Sequence, residues 1–541
     1  MIIAYDTTIL SEDTHLTSYW ENEIYKFAWK GFVFIPGIRA GRPSIEHVAR
    51  CLSGNRTIAE ATLPLKGDFC LIIRNKKEHI NYVLTDHNGL FQIYYTDRLI
   101  GTSYLELLQY LRIKKSDLSK EAIVEFLHLG NIYFKKTFTD CIRKISSEEI
   151  LTFESNGTVR KIKKSICSID QSPRCSFTDF FHNLSSSISN ERISVDLTGG
   201  FDTRLIACMF TFFGLDFEVA ISGVEKYKEI IIAKQVASAL KKKLHITYHQ
   251  IDNLVGDIKL MFTYNDGLGD VLSFHRLAQF QGDRKQRGIT LAINGVGGEF
   301  YCDYWWIQDF PFYNKSIANI PRLFDLRIEP IVFPHEYFIG ELRELSETFR
   351  DRMIKCLNQY VLGSNTQTYD NIYYYVMIQE LAARDTTNIN NHFLSNHTPL
   401  CDLELVKLGF NLPRTKRFFN LFKRSYTYDL YPQIAKIRTA EGFSASLDKL
   451  NIAKDAFKFI GNKGKRVMKK VGQRVLKKTY FQANPDHPDL RRLILDEQLM
   501  DEIITSLKDH HLLNHSLSKG DIRSQHIGRI LTLGLLLKEL Y

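Results

Sequence analysis

Nowhere in the 541 residues does an apolar run approach the length of a bilayer span, and Met1-Ile2-Ile3-Ala4-Tyr5-Asp6 lacks the basic-then-apolar order of a secretory signal. Both absences make the cytoplasm the expected compartment and argue against stable membrane insertion. No Cys-x-x-Cys pair occurs among the nine cysteines, an odd number. Reduced thiols packed in cores are therefore expected, rather than a disulfide framework or a structural zinc site. An excess of one charge sign is lacking too: a net +10 is small for this length, so no nucleic-acid partner is expected. Core-forming material is plentiful. With 44% hydrophobic and 12% aromatic residues the chain can fill two or more domains.

The most informative stretch is Ser194-Val195-Asp196-Leu197-Thr198-Gly199-Gly200-Phe201-Asp202-Thr203, which continues into Arg204-Leu205-Ile206-Ala207-Cys208-Met209-Phe210. It reads as strand, tight loop and helix. Adjacent glycines let the backbone approach a ligand closely, and the helix start aims free N–H groups into the same space, so an anion is expected there. A Walker A loop is excluded, because no lysine follows the last glycine. The loop offers two hydroxyls and a carboxylate instead, and a carboxylate facing phosphates needs a divalent cation between them. Farther on, residues 216–223 and 244–248 read as strands, with residues 227–240 at helical spacing between them. This alternation predicts a parallel sheet covered on both faces, with a ligand at the carboxyl ends of its strands. A second apolar run, Ile289-Thr290-Leu291-Ala292-Ile293, enters the glycine-rich turn Asn294-Gly295-Val296-Gly297-Gly298-Glu299. Its backbone can approach a ligand closely, and Glu299 adds a second carboxylate at the end of a strand.

Residues 198–203 resemble the Ser-Gly-Gly-x-Asp-Ser loop of the ATP pyrophosphatases, and residues 294–299 resemble the Ser-Gly-Glu-Gly-x-Asp-Glu loop of the asparagine synthetases. Two further matches follow in order. Thr398-Pro399-Leu400-Cys401-Asp402 with Asn411-Leu412-Pro413 is similar to the Pro-Phe-Leu-Asp segment and downstream Leu-Pro of that family. Arg438-Thr439-Ala440-Glu441-Gly442-Phe443 is similar to the segment that carries the family's active-site lysine. The resemblance implies an α/β fold: an adenine-nucleotide α-hydrolase-like (PP-loop) synthetase domain with a helical carboxyl-terminal part over residues 178–541. A linker at 166–177 would join it to a sheet-rich amidotransferase-like (Ntn-like) domain at 1–165. It also implies ATP and Mg²⁺, with Thr198, Gly199, Gly200 and Thr203 on pyrophosphate and Asp202 and Glu299 on the metal. Leu197, Ser222 and Gly295, with Asn294 beside them, would meet the adenosine. An acid opening the next helix is a feature of that fold; here it is Glu229, which otherwise reads as a helix-surface charge.

The departures from the family are as telling. Its glutamine-cleaving members expose a cysteine as the mature amino-terminal residue, but Ile2 stands here, and no Asn-Gly-Glu segment is found. Without sulfur there is no such nucleophile, so no glutaminase is expected and the first domain reads as a retained scaffold. Relatives that close β-lactam rings or lasso peptides share this loss, using an amine already present in the substrate. Val296 replaces an acid near the substrate, and Ala440 stands at the lysine position. Lys436, four residues earlier, would share a helical face with that position and is the first candidate catalytic cation, with Arg438 the second. The expected function is an AMP-forming carbon–nitrogen ligase that joins a carboxylate (amino acid, peptide or sugar acid) to an amine through an acyl-adenylate. Asparagine synthesis from free ammonia and a nucleotide-binding pseudoenzyme that docks a protein partner remain the alternatives. Lastly, residues 462–478 carry eight lysines and arginines and no acid, with Val467, Val471 and Val475 on one helical face. They read as a solvated basic helix, or else as a docking surface for an acidic peptide, polysaccharide or membrane face.

Overall fold

The computed structural model describes residues 2–4, 9–11, 17–154, 158–164, 168–249, 251, 253–273, 276–309, 313–314, 317–459, 461 and 490–541. The basic segment 462–478 lies outside the described residues. The amino-terminal strands are β1 (Ile2–Ala4), β2 (Ile9–Ser11), β3 (Thr17–Glu21), β4 (Tyr25–Phe34), β5 (Lys66–Asn75) and β6 (Ile80–Thr85). β7 (Tyr94–Tyr95), β8 (Leu99–Gly101), β9 (Arg143–Lys144), β10 (Glu149–Glu154) and β11 (Val159–Lys163) follow. They make two antiparallel sheets, ordered β2-β1-β8-β7-β9 and β11-β10-β6-β5-β4-β3. β5 is buried on both faces almost throughout, and the two-residue period of a strand sends its apolar run Phe69–Ile73 to both. Phe69, Leu71 and Ile73 pack under the helix Arg42–Ser53, while Cys70 and Ile72 point the other way, into the core shared with Ile93 and with Tyr95 and Ile100 of the five-stranded sheet.

The carboxyl-terminal half supplies β12 (Ile193–Asp196), β13 (Glu218–Gly223), β14 (Leu244–Tyr248), β15 (Leu291–Ile293) and β16 (Ser395–His397), all parallel and ordered β14-β13-β12-β15-β16. From β12 the chain moves outward through the helix Asp202–Phe212 to β13, then through the helix Lys228–Leu240 to β14. It then returns to lay β15 on the opposite side of β12, so the strand order reverses there. Ligands of open parallel sheets bind at such a switch point, outside the carboxyl ends of the strands. β16 was not foreseen: Ser-Asn-His is short and polar, and what makes it a strand is its pairing along β15.

A second core gathers around the largely apolar and buried helix Ile527–Glu539, and helices from both halves of the chain join it, Tyr104–Tyr110 and Lys120–Leu129 among them. Among the described residues, no helix is long and apolar enough to cross a membrane. His526, at the start of that helix, is fully buried against the edge of Phe333, with ring centroids 4.8 Å apart. Burial first, and the nearby Arg529 second, hold its imidazole down at about 3. The unfolded chain, with a histidine near 6.5, therefore takes up this proton first as pH falls. Stability present above about pH 6.5 is lost progressively toward 3, by about 2 kcal/mol at about pH 5. The thermal midpoint of His526→Phe, measured by calorimetry between about pH 7.5 and 5, should thus fall less steeply than that of the wild type. Parallel slopes would count against a neutral His526.

Candidate functional site

The loop after β12 is stitched to the helix that follows it. Leu197 N–H still donates to Ala220 O at 2.8 Å, extending the sheet by one residue before the chain turns. Thr198 N–H then donates to Thr203 Oγ1 at 3.0 Å, the two threonine hydroxyls lie 3.2 Å apart, and Gly200 N–H approaches Thr198 Oγ1 at 3.4 Å. Asp202 occupies the first turn of the helix, where its charge complements the dipole. Gly199 has no room for a side chain: a Cβ there would stand 2.9 Å from Ala440 Cβ and 3.3 Å from Glu229 Cγ. Ala440 N–H also donates to Gly199 O at 3.0 Å. Ala440 and Glu229 therefore both lie against this loop. Ser222, near the end of β13, pairs with Thr247 of β14.

The second loop leaves β15, the strand directly beside β12, and meets the first. Asn294 N–H donates to His397 O at 3.2 Å, and Asn294 Oδ1 accepts from Val296 N–H at 3.0 Å, which starts the turn. A Cβ on Gly295 would come within 2.7 Å of Thr203 Cγ2, and one on Gly298 would overlap the Asp202 carboxylate. Gly297 holds a positive φ of 94°. The glycines of this loop thus serve loop-to-loop contact.

Between the two loops lies a cation that the sequence reading did not find. Lys423, on the helix Leu421–Leu430, is 3% exposed, and its Nζ donates to Asp202 Oδ1 at 2.7 Å and to Gly298 O at 3.1 Å. Burial pulls its ammonium down, but Asp202, Cys302 and Glu299 outweigh that and its pKa is raised. The Glu299 carboxyl is raised as well, by burial and then by Asp202, and its Oε2 is buried without a hydrogen-bond partner. Lys423 sits among the buried residues Phe422, Arg424 and Thr427. The one sequence signal for it is a lysine on the inward face of an amphipathic helix.

Asp202, bound by one ammonium, and the nearby Glu299 with its orphaned oxygen make a donor set that fits a divalent cation. Asp202 and Glu299 would hold it. Among the described residues there is no cluster of three or more metal-ligating side chains. Oxygens of phosphate and water would have to complete an octahedral shell.

Lys436 does not stand where the helical-face argument put it. The helix there is only Pro432–Ala435, Lys436 is its exposed cap, and the chain from 437 to 442 is not helical, so Lys436 and Ala440 share no face. Arg438 donates to Gly442 O at 2.6 Å and to Asp455 Oδ1 at 3.1 Å. Fully buried Asp455 also binds Arg424 Nη1 at 3.0 Å, so Arg438 is part of a structural ion-pair cluster. Ile2 lies in β1, opposite Gly101 and Ser11.

No family model matches the chain. Over 275 residues it is 21% identical to the glutamine-hydrolyzing asparagine synthetase 1 of Bacillus subtilis (strain 168), a stretch covering 48% of this chain and 43% of that relative. The match spans less than half of either protein, and it supports the asparagine synthetase family as a distant relation of this chain.

Proposed function

We propose that the chain is an ATP-dependent amide-forming ligase of the asparagine synthetase type, without a glutaminase of its own. One observation carries this reading. Two glycine loops on the neighbouring strands β12 and β15 bring Asp202, Glu299 and Lys423 together at the switch point of the parallel sheet. Thr198, Gly199, Gly200 and Thr203 would bind the β- and γ-phosphates through hydroxyls and loop N–H groups, and Leu197, Ser222, Asn294 and Gly295 would line the adenosine side. Mg²⁺ between Asp202, Glu299 and the phosphates would neutralise charge on the departing pyrophosphate. Lys423 would hold Asp202 in place and stabilise the same developing charge. A substrate carboxylate oxygen attacks the α-phosphorus as the bond to the β-phosphate oxygen breaks, giving acyl-adenylate and pyrophosphate. An amine then attacks the acyl carbon, the bond to AMP breaks, and the amine's proton leaves to solvent. Ala440 favours the pseudoenzyme reading to the extent that no cation stands there; ATP–pyrophosphate exchange with a panel of carboxylates, aspartate included, separates the readings.

Asp202→Asn should abolish Mg²⁺-dependent ATP binding measured by calorimetry and lower AMP release by about a hundred-fold or more, the usual cost of one electrostatic contact at a reacting phosphate. Unchanged MgATP affinity together with unchanged turnover would sink the assignment.

A further inference from the structure

The amino-terminal half reaches into the wall of this site through β4, whose Phe32 and Phe34 rings lie 5.1 and 5.7 Å from that of His397, and through the polar side chains of β5. Asp68 of β5 is 1% exposed, and its Oδ2 accepts from both the backbone N–H and the hydroxyl of Thr398, at 2.9 and 2.6 Å. Its Oδ1 lies 3.2 Å from His397 Nδ1, which donates when it carries the ring proton. Two residues earlier, on the same side of the strand, Lys66 Nζ binds the carboxylate of Asp402 at 2.7 and 3.0 Å. β5 therefore grips the segment 397–402 at both ends.

That segment is the support of the second loop. His397 O accepts from Asn294 N–H, and Asn396 Oδ1 accepts from Asn294 Nδ2, both at 3.2 Å. Cys401 Sγ approaches Val296 O at 3.4 Å. A Cβ on Gly297 would stand 2.8 Å from Cys401 Sγ and 2.9 Å from the Leu400 carbonyl. Backbone rests on backbone here, so a shift of 397–402 is passed to residues 294–298 and thence to Glu299.

We propose that Asp68 is a positioning residue for the ATP site. The half of the chain that lacks a nucleophile at position 2 is kept because its β5 holds Thr398, and through it the loop bearing Gly298 and Glu299, against Asp202. This rests on the ATP-ligase reading for its consequence, though not for its geometry. A merely adhesive contact between the two halves would predict general destabilisation; a positioning role predicts a local effect with an intact fold.

The test uses the full chain and three variants. Asp68→Ala removes the acceptor, Asp68→Asn keeps an amide oxygen for Thr398, and Thr398→Val removes one donor in case Asp68→Ala does not fold. Hydrogen exchange should become about ten-fold faster across residues 294–301 in Asp68→Ala and Thr398→Val, as expected for the loss of a hydrogen bond to a charged group, and stay near wild type in Asp68→Asn. Exchange in the helix Ile527–Glu539 should not change. MgATP affinity, read by calorimetry, should fall in the same two variants and recover in Asp68→Asn. Unchanged exchange at 294–301 in a folded variant, or acceleration spread evenly over the molecule, overturns the proposal. A wild type that fails to bind MgATP would instead defeat the ligase reading, and the exchange data alone would then decide the role of Asp68.

Discussion

Lys423→Met is expected to slow AMP formation severely while leaving a folded protein. Methionine keeps the length and apolar bulk of the lysine stem but takes away the ammonium that sits 2.7 Å from Asp202 and 3.1 Å from Gly298 O. Asp202 would then lose the ammonium that binds it and stand uncompensated near Glu299, whose carboxyl burial and Asp202 already raise. Removing one partner of a buried ion pair costs about 3–5 kcal/mol, and the lower end applies here because the Asp202 side chain is 32% exposed. The loss in rate should be on the order of 10² to 10³-fold, as for other preorganised charges at a reacting centre. Thermal midpoint and AMP release, measured side by side on the variant, check both parts. A variant that turns over ATP like the wild type would show Lys423 to be a packing residue.

Gly298→Ala should be nearly as damaging, for a steric reason. The added methyl would occupy the space of the Asp202 carboxylate, so Asp202 must swing off Lys423 or the loop must retreat from the end of β12. Overpacking of this kind costs about 1–3 kcal/mol, and a reacting group displaced by about 1 Å loses about a hundred-fold in rate. A control is available in Gly363→Ala, whose added Cβ would meet its nearest atom, the flexible Gln367 side chain, at 3.3 Å. MgATP affinity by calorimetry should drop in Gly298→Ala and hold in Gly363→Ala. Equal affinities would mean that the two loops part more easily than their contacts imply.

How much of this was legible in the chain follows from which interactions are local. The β12 loop and the glycine-rich turn after β15 were readable because strand, turn and helix signals fall within ten consecutive residues of each other. β16 was not, because its polar Ser-Asn-His run has no period and is ordered by its neighbour. Lys423 and Asp68 were missed for a related reason: each acts across a distance that spacing cannot encode, and a lysine or aspartate in the wrong context reads as surface. The placement of Lys436 failed differently. A shared helical face needs helix from Lys436 to Ala440, but Pro432 starts a single short turn and the chain leaves it at Lys436. Glu229 is exposed, as its reading as a helix-surface charge implies, and its side chain also lies beside the Gly199 loop.

The pairings that build the site also fix when it can exist during synthesis. Asp202 and Lys423 are 221 residues apart, and Asp68 and Thr398 are 330 apart. At ordinary elongation rates of about 5–20 residues per second, the amino-terminal sheets emerge tens of seconds before the strand that covers Asp68. Throughout that interval β5 presents an uncapped carboxylate and the Thr198 loop has no cation across from it. On the ligase reading proposed above, the site therefore stays incomplete until the helix Leu421–Leu430 has been made, and any product ending short of it carries the loop pair without its buried cation.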